Sequence, residues 1–336
     1  MNPSISKLKS ILPRPFIYCD VGARWGIEEP WKSFKDVIAL IGFEPDKEEY
    51  LDLLHNKGAM DSVYPYALYR ESGKVCINLT RSRGCSSLYR PNFDFLNCYP
   101  DPERYEVEDS VSVEATTIDA LYEKSVLTNV DFIKIDVQGA ELDILTGGES
   151  FLNKNILGLE IEVEFQPLYR DQPMFSDVDA FARRKLGLQM QDLRKTYWKY
   201  KSGINVGASK GQLIFGDALY FRSPYSILEW SSRFNKDEAK SKIQMACFMG
   251  LVYGYLDYGL CILDQPSIKD FLEDKCVKDW KNLIYNYGKC IKYNGKGAGK
   301  LAALFNLLHR AFQPTHGGWA SIGHHLGSRK KYNIFT

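Results

Sequence analysis

The sequence predicts an α/β fold, a mostly parallel sheet with helices on both faces, plus a mainly helical C-terminal extension. Up to about residue 224, short β-branched and aromatic runs alternate with stretches of helical periodicity, as in parallel sheets with crossover helices. Beyond residue 225 the strand patterns stop, and apolar residues recur at helical spacing. We therefore divide the 336 residues into a lead-in (1–15), an α/β domain (16–224) and a helical, basic extension (225–336).

Each strand is predicted from an apolar run bounded by turn residues, and each helix from capping residues and apolar spacing. The run Thr116-Thr-Ile-Asp119 predicts a capped helix start, and Gly147-Gly148 a helix end. The predicted strands are residues 16–21, 37–43, 63–68, 75–79, 132–137, 157–165, 189–193 and 213–221. The predicted helices are residues 45–56, 118–123, 140–145 and 176–186. Residues 81–102 are predicted to form a long ordered loop, and such loops are usually functional.

Composition excludes several classes of protein. The net charge is +1, from 43 basic and 42 acidic residues, so no overall positive field is available to hold nucleic acid. With 45% apolar and 25% charged residues and a mean hydropathy of −0.30, the chain is neither disordered nor a multi-span membrane protein. The eight cysteines contain no C-x-x-C pair, and Lys7 and Lys9 interrupt any early apolar run. These features predict reduced thiols in a cytoplasmic protein.

Two stretches of the C-terminal extension raise the question of a membrane. Residues 245–263 are strongly apolar, but Asp257 and three glycines favour a buried helix pair over a membrane span. From Trp280 to the end there is no acidic residue, and nine Lys and Arg residues give a charge of +9. Within this tail, residues 300–312 form a basic amphipathic pattern. It predicts either peripheral contact with an anionic membrane or phosphate groups, or a helix that packs on the core with solvated lysines.

The first candidate binding residues follow the strand predicted at residues 16–21. Asp20, Gly22 and Gly26 form a D-x-G-x-x-x-G turn, in which the glycines let the backbone approach a ligand closely. Glu44 ends the next strand, 22 residues after Gly22, where an acid accepts hydrogen bonds from ribose hydroxyls. The glycine spacing differs from the G-x-G-x-x-G of dinucleotide sites, so the pattern favours S-adenosylmethionine over NAD.

A second candidate group lies in the strand predicted at residues 132–137. Alternation places Lys134 and Asp136 on one face of this buried strand, where ionisable side chains need a partner or a ligand. Asp136 lies at the strand end, where ligands bind in doubly wound sheets. Gly139 permits a tight turn, and Glu141 lies in the first turn of the next helix. Two interpretations stay open: a direct role in the active site, or a structural Lys134–carboxylate pair with a helix-start glutamate.

Three blocks of sequence resemble the FkbM-type methyltransferases over roughly residues 18–221. They are Gly42-Phe-Glu-Pro-Asp46, Lys134-Ile-Asp-Val-Gln-Gly-Ala-Glu141 and Leu159-Glu-Ile-Glu-Val-Glu-Phe-Gln-Pro-Leu-Tyr169. The resemblance implies a Rossmann-like class I methyltransferase that uses S-adenosylmethionine and acts on hydroxyls of sugars or polyketides. It implies a cofactor site formed by Asp20, Gly22, Ala23, Gly26, Glu44, Asp46, Gly139 and Glu141. Residues 225–336 lie outside the resemblance.

Methyl transfer to an alcohol needs a base, because a neutral hydroxyl is a poor nucleophile. We predict that Asp136 is this base and that Lys134 and Glu164 complete the catalytic set. Glu164 is the last of three glutamates that alternate with apolar residues in one strand, whereas Glu160 is expected to pair with a basic side chain. His55 is expected to point away from the site. No set of metal ligands is evident, so no metal is predicted.

The sequence thus predicts an S-adenosylmethionine-dependent O-methyltransferase. The resemblance alone suggests that its acceptor is a sugar hydroxyl in a surface glycan or glycolipid precursor, which would place it in polysaccharide biosynthesis. Two alternatives stay open: methylation of a polyketide-like small molecule, and a non-catalytic cofactor-binding scaffold that the basic tail recruits to a membrane or assembly. The intact turn and acidic residues favour an enzyme. The sequence makes no prediction of oligomeric state.

Overall fold

The larger of two sheets positions the candidate site. The structure, a computed structural model, describes residues 3–24, 26–55, 61–205, 211–289, 299–301, 303–305, 308 and 319–322. Eleven strands are found in this part of the chain: β1 (Phe16–Val21), β2 (Ile38–Phe43), β3 (Ser62–Tyr64), β4 (Ala67–Leu68), β5 (Gly73–Thr80), β6 (Val107–Thr116), β7 (Phe132–Ile135), β8 (Gly158–Glu164), β9 (Leu188–Trp198), β10 (Gln212–Arg222) and β11 (Ala320–Ile322).

Eight of these strands form the main sheet, in the order β3-β2-β1-β7-β8-β10-β9-β11. Strands β3, β2, β1, β7 and β8 are parallel, and β10 lies antiparallel between β8 and β9. The chain winds outward from β1 to β3 and then in the opposite direction from β7, so the switch point lies between β1 and β7. This is the Rossmann-like, mostly parallel sheet that the sequence predicts.

Helices cover both faces of the main sheet. They are α1 (Pro3–Ile11), α2 (Lys47–His55), α3 (Phe93–Leu96), α4 (Ile118–Glu123), α5 (Glu141–Gly147), α6 (Glu149–Asn155), α7 (Phe175–Arg184), α8 (Ile227–Ser231), α9 (Lys236–Tyr253), α10 (Leu256–Leu263) and α11 (Asp274–Tyr287). Short 3-10 helices lie at Trp31–Val37, Arg83–Cys85, Pro102–Tyr105, Lys201–Gly203 and Pro266–Asp270. Thr117 caps α4 by accepting a hydrogen bond from the Ala120 N–H at 2.9 Å, and α5 ends at Gly147, as predicted.

The C-terminal helices pack on the amino-terminal half of one sheet face. Phe16, Phe132 and Phe221 form one buried cluster there with Phe248 and Tyr253 of α9. The predicted helix pair within residues 245–263 is confirmed, because α9 and α10 are separate helices joined by a left-handed Gly254. In the described part of the chain, no helix combines the length and hydropathy needed to cross a membrane.

A second sheet of three strands, in the order β4-β6-β5, is inserted between β3 and β7. Val75 pairs with Val113 and Ile77 with Val111, so one face of this sheet is apolar. The predicted strand at residues 63–68 is split, since its first part joins the main sheet and its last part joins this one. The loop predicted at residues 81–102 contains one short 3-10 helix and α3.

Several predicted elements differ from the structure. The sequence patterns do not predict α1, α6, β6 or β11. The strand predicted at residues 189–193 covers only the first part of β9. Most of the basic stretch at residues 300–312 lies outside the described residues, as do His309, His316, His324 and His325. His55 is described: it ends α2 and its Nδ1 lies 2.6 Å from the carbonyl oxygen of Leu51.

Candidate active site

One face of the main sheet changes from apolar to charged along its strands. Because every second residue shares a face, Tyr18 is followed there by Asp20, and Phe132 by Lys134. The apolar half is covered by the C-terminal helices. A cavity of about 870 Å³ lies over the charged half, at the carboxyl ends of the parallel strands. The fold therefore places the cavity at the switch point, where ligands bind in sheets of this type.

The turn after β1 is held between the neighbouring strands. The Gly22 N–H donates to the carbonyl oxygen of Phe43 at 3.1 Å, and the Asp136 N–H donates to that of Val21 at 3.1 Å. Gly22 has a φ of +83°, and a Cβ there would lie 2.2 Å from the carbonyl oxygen of Asp136. Glycine is thus required both for the conformation and for the close approach of the two strand ends.

Asp20, at the end of β1, is 1% exposed and lines the cavity. Burial raises the pKa of its carboxyl to about 6, although Lys134 opposes this shift. Its Oδ1 atom has no hydrogen-bond partner among the described residues. A buried acceptor without a donor, on a cavity wall, favours a ligand that brings a donor or a positive charge.

Two acids follow β2. Glu44 lines the cavity, is 6% exposed and accepts a hydrogen bond from the Asp46 N–H at 2.8 Å. Burial raises the pKa of Glu44 to about 7, although this hydrogen bond and Arg24 oppose the shift. Asp46 also lines the cavity, but its Oδ1 accepts the Glu48 N–H at 2.9 Å and so caps α2. Glu44 is therefore the acid with the freer carboxylate.

Lys134 and Asp136 both line the cavity at the end of β7. The Lys134 ammonium lies 3.7 Å from Asp136 Oδ2 and 4.0 Å from Asp20 Oδ1. Burial opposes the charge of Lys134, but these two carboxylates and Glu160 outweigh it and raise the lysine pKa above its ordinary value. The side chain of Asp136 is 34% exposed, whereas that of Asp20 is 2% exposed. Asp136 is thus the more accessible of the two carboxylates.

Other residues of the cavity wall were not among those selected from sequence. Gln138 follows Asp136 in a left-handed conformation, with φ of +62°. Glu162 of β8 lies opposite Asp217 of β10, whose carboxylate accepts a hydrogen bond from Arg194 Nε at 2.7 Å. The signal for Gln138 is its position inside the 134–141 block. The other three are found only when the antiparallel pairing of β8, β10 and β9 is known.

Four of the predicted site residues do not line the cavity in the described part of the chain: Ala23, Gly139, Glu141 and Glu164. Glu141 is 1% exposed, and its carboxylate accepts hydrogen bonds from the N–H groups of Val137 and Gly139 at 2.9 Å. It therefore stabilises the turn after β7. Glu164, predicted to belong to the catalytic set, is 2% exposed, and Glu162, two residues earlier, lines the cavity instead.

Glu160, at the other end of the acidic series, accepts a hydrogen bond from the Tyr253 hydroxyl at 2.6 Å. The Tyr253 hydroxyl is thus its hydrogen-bond donor, while the positive charges of Lys134 and Arg194 act on the same carboxylate. The reason is that α9 covers the sheet at this point, and the sequence does not show which helix faces β8. Trp31 Nε1 in turn donates to the Tyr253 oxygen at 3.0 Å.

Carboxylate oxygens of Glu141, Glu162 and Glu164 lie within 4.8 Å of one another, close enough to share a cation. Burial and neighbouring carboxylates raise the pKa of Glu162 and Glu164 well above the usual range, which favours their protonated forms. Acidic side chains cluster in this way with protons as well as with metal ions, so we assign no metal to the group.

A family profile described as "Methyltransferase FkbM domain" matches residues 20–189. The chain belongs to the FkbM methyltransferase family. Its cofactor is S-adenosylmethionine, and it is a methyltransferase.

The chain is also similar to several known methyltransferases. It is 24% identical over 177 residues to the 2-O-methyltransferase NoeI of Sinorhizobium fredii. The aligned region covers 49% of this chain and 71% of NoeI. A crystal structure of methyltransferase FkbM from Methylobacillus flagellatus has 15% identity and a TM-score of 0.34, over 62% of this chain and 43% of that longer one. A TehB-like methyltransferase from Corynebacterium glutamicum has 12% identity and a TM-score of 0.29, over 65% and 86% of the two chains.

Two observations indicate that S-adenosylmethionine fits the cavity. Asp20 Oδ1, which accepts no hydrogen bond from the described residues, is suited to the ammonium of the amino-acid end, and the bare backbone at Gly22 lets a ligand lie against the turn. Glu44 would hold the ribose hydroxyls, with its carboxylate accepting their hydrogen bonds. The rest of the cavity wall, which includes Lys134 and Arg194, is then left for an acceptor.

Glu44→Gln is expected to weaken S-adenosylhomocysteine binding at pH 8 by about 1.5–3 kcal/mol, through loss of charge-assisted hydrogen bonds. With a Glu44 pKa of about 7, the wild-type carboxyl is mostly protonated at pH 6. The difference between the two proteins should therefore shrink by about 1 kcal/mol on going from pH 8 to pH 6. Calorimetric titration at both pH values measures it, with Asp52→Asn, on an exposed position of α2, as the control. Equal affinities at pH 8 would show that another group holds the ribose.

Proposed function

We propose that this FkbM methyltransferase methylates a hydroxyl group, with Asp136 as the base, and that the acceptor is a sugar. The observation that carries the proposal is the accessible carboxylate of Asp136, which lines the cavity at the switch point between two better buried acids. Glu162 is 8% exposed and Asp20 is 1% exposed, so Asp136 is the most accessible of these three neighbouring acids.

The chemistry follows from this placement. The cofactor, when bound, supplies a methyl group on a positively charged sulfur. An acceptor hydroxyl near Asp136 would donate a hydrogen bond to the carboxylate, which would take its proton as the new carbon–oxygen bond forms and the methyl–sulfur bond breaks, with S-adenosylhomocysteine as the leaving group. Lys134, 3.7 Å from Asp136 Oδ2, holds the other side of this carboxylate. Positioning of the acceptor in the closed part of the cavity supplies further acceleration.

Two features support a sugar acceptor. The wall beyond Asp136 offers both hydrogen-bond acceptors and donors, from Glu162, Arg194 and Asp217, and a polyhydroxylated ring needs both. The relative NoeI is named a 2-O-methyltransferase. The surface-glycan or glycolipid precursor and a peripheral membrane contact through the basic tail remain parts of the same proposal.

A second candidate acceptor is a polyketide-like small molecule. Ile77, Leu79, Val111 and Val113 of the inserted sheet line the same cavity, and they give it an apolar wall opposite the charged one. Such a wall suits an acceptor with an apolar body and one reactive hydroxyl.

The proposed function is tested by incubating the protein with S-adenosylmethionine and two matched panels of acceptors, free and lipid-linked sugars and aromatic polyols. We expect S-adenosylhomocysteine to form together with an O-methylated sugar, identified by mass spectrometry as a gain of one methyl group. Methylation confined to the polyols would favour the second candidate. Cofactor binding without product from any acceptor would favour the scaffold alternative.

A further inference from the structure

We propose that Gln138 is the positioning residue that holds the carboxylate of Asp136 toward the acceptor. The inference rests on the proposed role of Asp136 as the base. It goes beyond that role, because Gln138 would act on proton transfer through Asp136 and would not itself take the proton. Instead it sets the direction of a side chain that is 34% exposed and therefore free to rotate without such a partner.

The side-chain amide of Gln138 joins the ends of two strands. Its Nε2 donates to Asp136 Oδ1 at 3.2 Å and to Glu162 Oε2 at 2.6 Å. Its Oε1 lies 3.2 Å from the Tyr169 hydroxyl, whose proton it shares with the Cys85 carbonyl oxygen at 2.9 Å. The opposite orientation of the amide would turn its carbonyl oxygen toward the Asp136 carboxylate, so we assign the nitrogen to that side.

The backbone of Gln138 is also held. Its φ of +62° lies in the left-handed region, which costs a residue other than glycine about 1 kcal/mol or more. The Ser87 hydroxyl, 2% exposed in the loop after β5, donates to the Gln138 carbonyl oxygen at 2.6 Å. The chain thus holds a glutamine in an unfavourable conformation at a position from which its amide reaches both carboxyls. Such strain beside a candidate base points to a functional requirement.

The two oxygens of Asp136 are held from different sides. Oδ1 accepts from the Gln138 amide, and Oδ2 faces the Lys134 ammonium at 3.7 Å. The ionisable groups that act on Asp136 come from five elements: Lys134 on β7, Asp20 on β1, Glu162 and Glu164 on β8, Glu141 on α5 and Asp217 on β10. All but Lys134 are acids. Gln138 contributes a neutral donor between Asp136 and Glu162, which repel each other when both are charged.

Gln138→Met removes the donor and keeps the length of the side chain. We expect kcat for methyl transfer to fall about 10- to 100-fold, as for a misplaced catalytic group, with the KM for S-adenosylmethionine unchanged within about twofold. Gln138→Asn suits the left-handed backbone but is too short to reach both carboxyls, so it should show the same loss in a well-folded protein. Gln189→Met, at an exposed position of β9, is the matched control.

The deciding measurement is a double-mutant cycle in single-turnover rates. If Gln138 acts through Asp136, Asp136→Asn combined with Gln138→Met is no slower than Asp136→Asn alone. The positioning role would be overturned if the two substitutions lowered the rate independently, so that their effects multiplied in the double variant. A near-normal kcat for Gln138→Met and Gln138→Asn would also overturn it. Either result would leave the proposed base in place. A near-normal rate for Asp136→Asn itself would overturn the proposed base, and the positioning role with it.

Discussion

Asp136→Asn is expected to lower the single-turnover rate of methyl transfer by roughly 10²–10⁴ at saturating cofactor, the usual contribution of a positioned general base. Asparagine keeps the size of the side chain and still meets Lys134, but its amide cannot take the proton of an acceptor hydroxyl. Cofactor affinity should change little, because Asp20, Gly22 and Glu44 lie on the other side of the switch point. Rapid quenching followed by mass spectrometry of the acceptor measures the rate.

The control is Asp94→Asn, which changes an 85% exposed carboxylate paired with Arg170 at the surface. Exposed pairs of this kind contribute little, so the rate should stay at the wild-type value. If Asp136 serves only to neutralise Lys134 or to hold the cofactor, saturating cofactor should restore most of the rate of Asp136→Asn. A rate within a few-fold of wild type would exclude it as the base.

Asp131→Asn is expected to lower the free energy of unfolding by about 3–5 kcal/mol, the usual cost of leaving a buried charge without its partner. Asp131 is fully buried just before β7. Its carboxylate accepts hydrogen bonds from two Arg14 guanidinium nitrogens at 2.5 and 2.7 Å, from the Lys242 ammonium at 3.0 Å and from the Ile17 N–H at 2.9 Å. Lys242 is 0% exposed, so asparagine would leave its charge uncompensated. Urea denaturation followed by circular dichroism measures the loss.

The reverse test replaces both members of the pair. Asp131→Asn combined with Lys242→Met removes the stranded cation, so part of the lost stability should return. Asp279→Asn is the matched control, because its pair with Lys7 also joins the first helix to the C-terminal helices but is solvent-exposed. We expect a loss below about 1 kcal/mol there. Similar losses for Asp131→Asn and Asp279→Asn would contradict the assignment of a buried anchor.

The pH dependence of this contribution has a definite sign. Burial alone would raise the pKa of Asp131, but Lys242 and Arg14 outweigh it, so the pKa lies below its usual range. The stabilisation is therefore complete above the unfolded-state pKa of about 3.9, and it is lost as the pH falls through the lower folded-state value.

Local patterns were enough to predict most strands of the main sheet, although not β11. β1 and α4 have the predicted bounds, because their apolar runs end at clear turn or capping residues. β6 was missed because it alternates valine and alanine with acidic and serine residues, so only one face is apolar and the run resembles a polar loop. α1 and β11 depend on contacts with distant segments, which no local pattern contains.

The residues of the candidate site also fall into those that local sequence predicts and those that it does not. Asp20, Gly22 and Glu44 were found because each follows directly from a strand end, and the ends of parallel strands meet at one edge. Arg194 and Asp217 were missed because their place depends on the pairing of β9 with β10. Glu164 was selected in place of Glu162, because sequence alone does not show how far the cavity extends along β8.

The ribosome synthesises the parallel strands before it synthesises the C-terminal helices that cover them. Phe16, Phe132 and Phe221 belong to strands made by residue 222, whereas Phe248 and Tyr253, which pack on them, come a few tens of residues later. Until then this face of the sheet is an exposed apolar surface, which nascent chains cannot leave in water without risk of aggregation. We therefore expect the sheet to reach its native state only after α9 has left the exit tunnel, and a chain shortened to residue 224 to be recovered as aggregates.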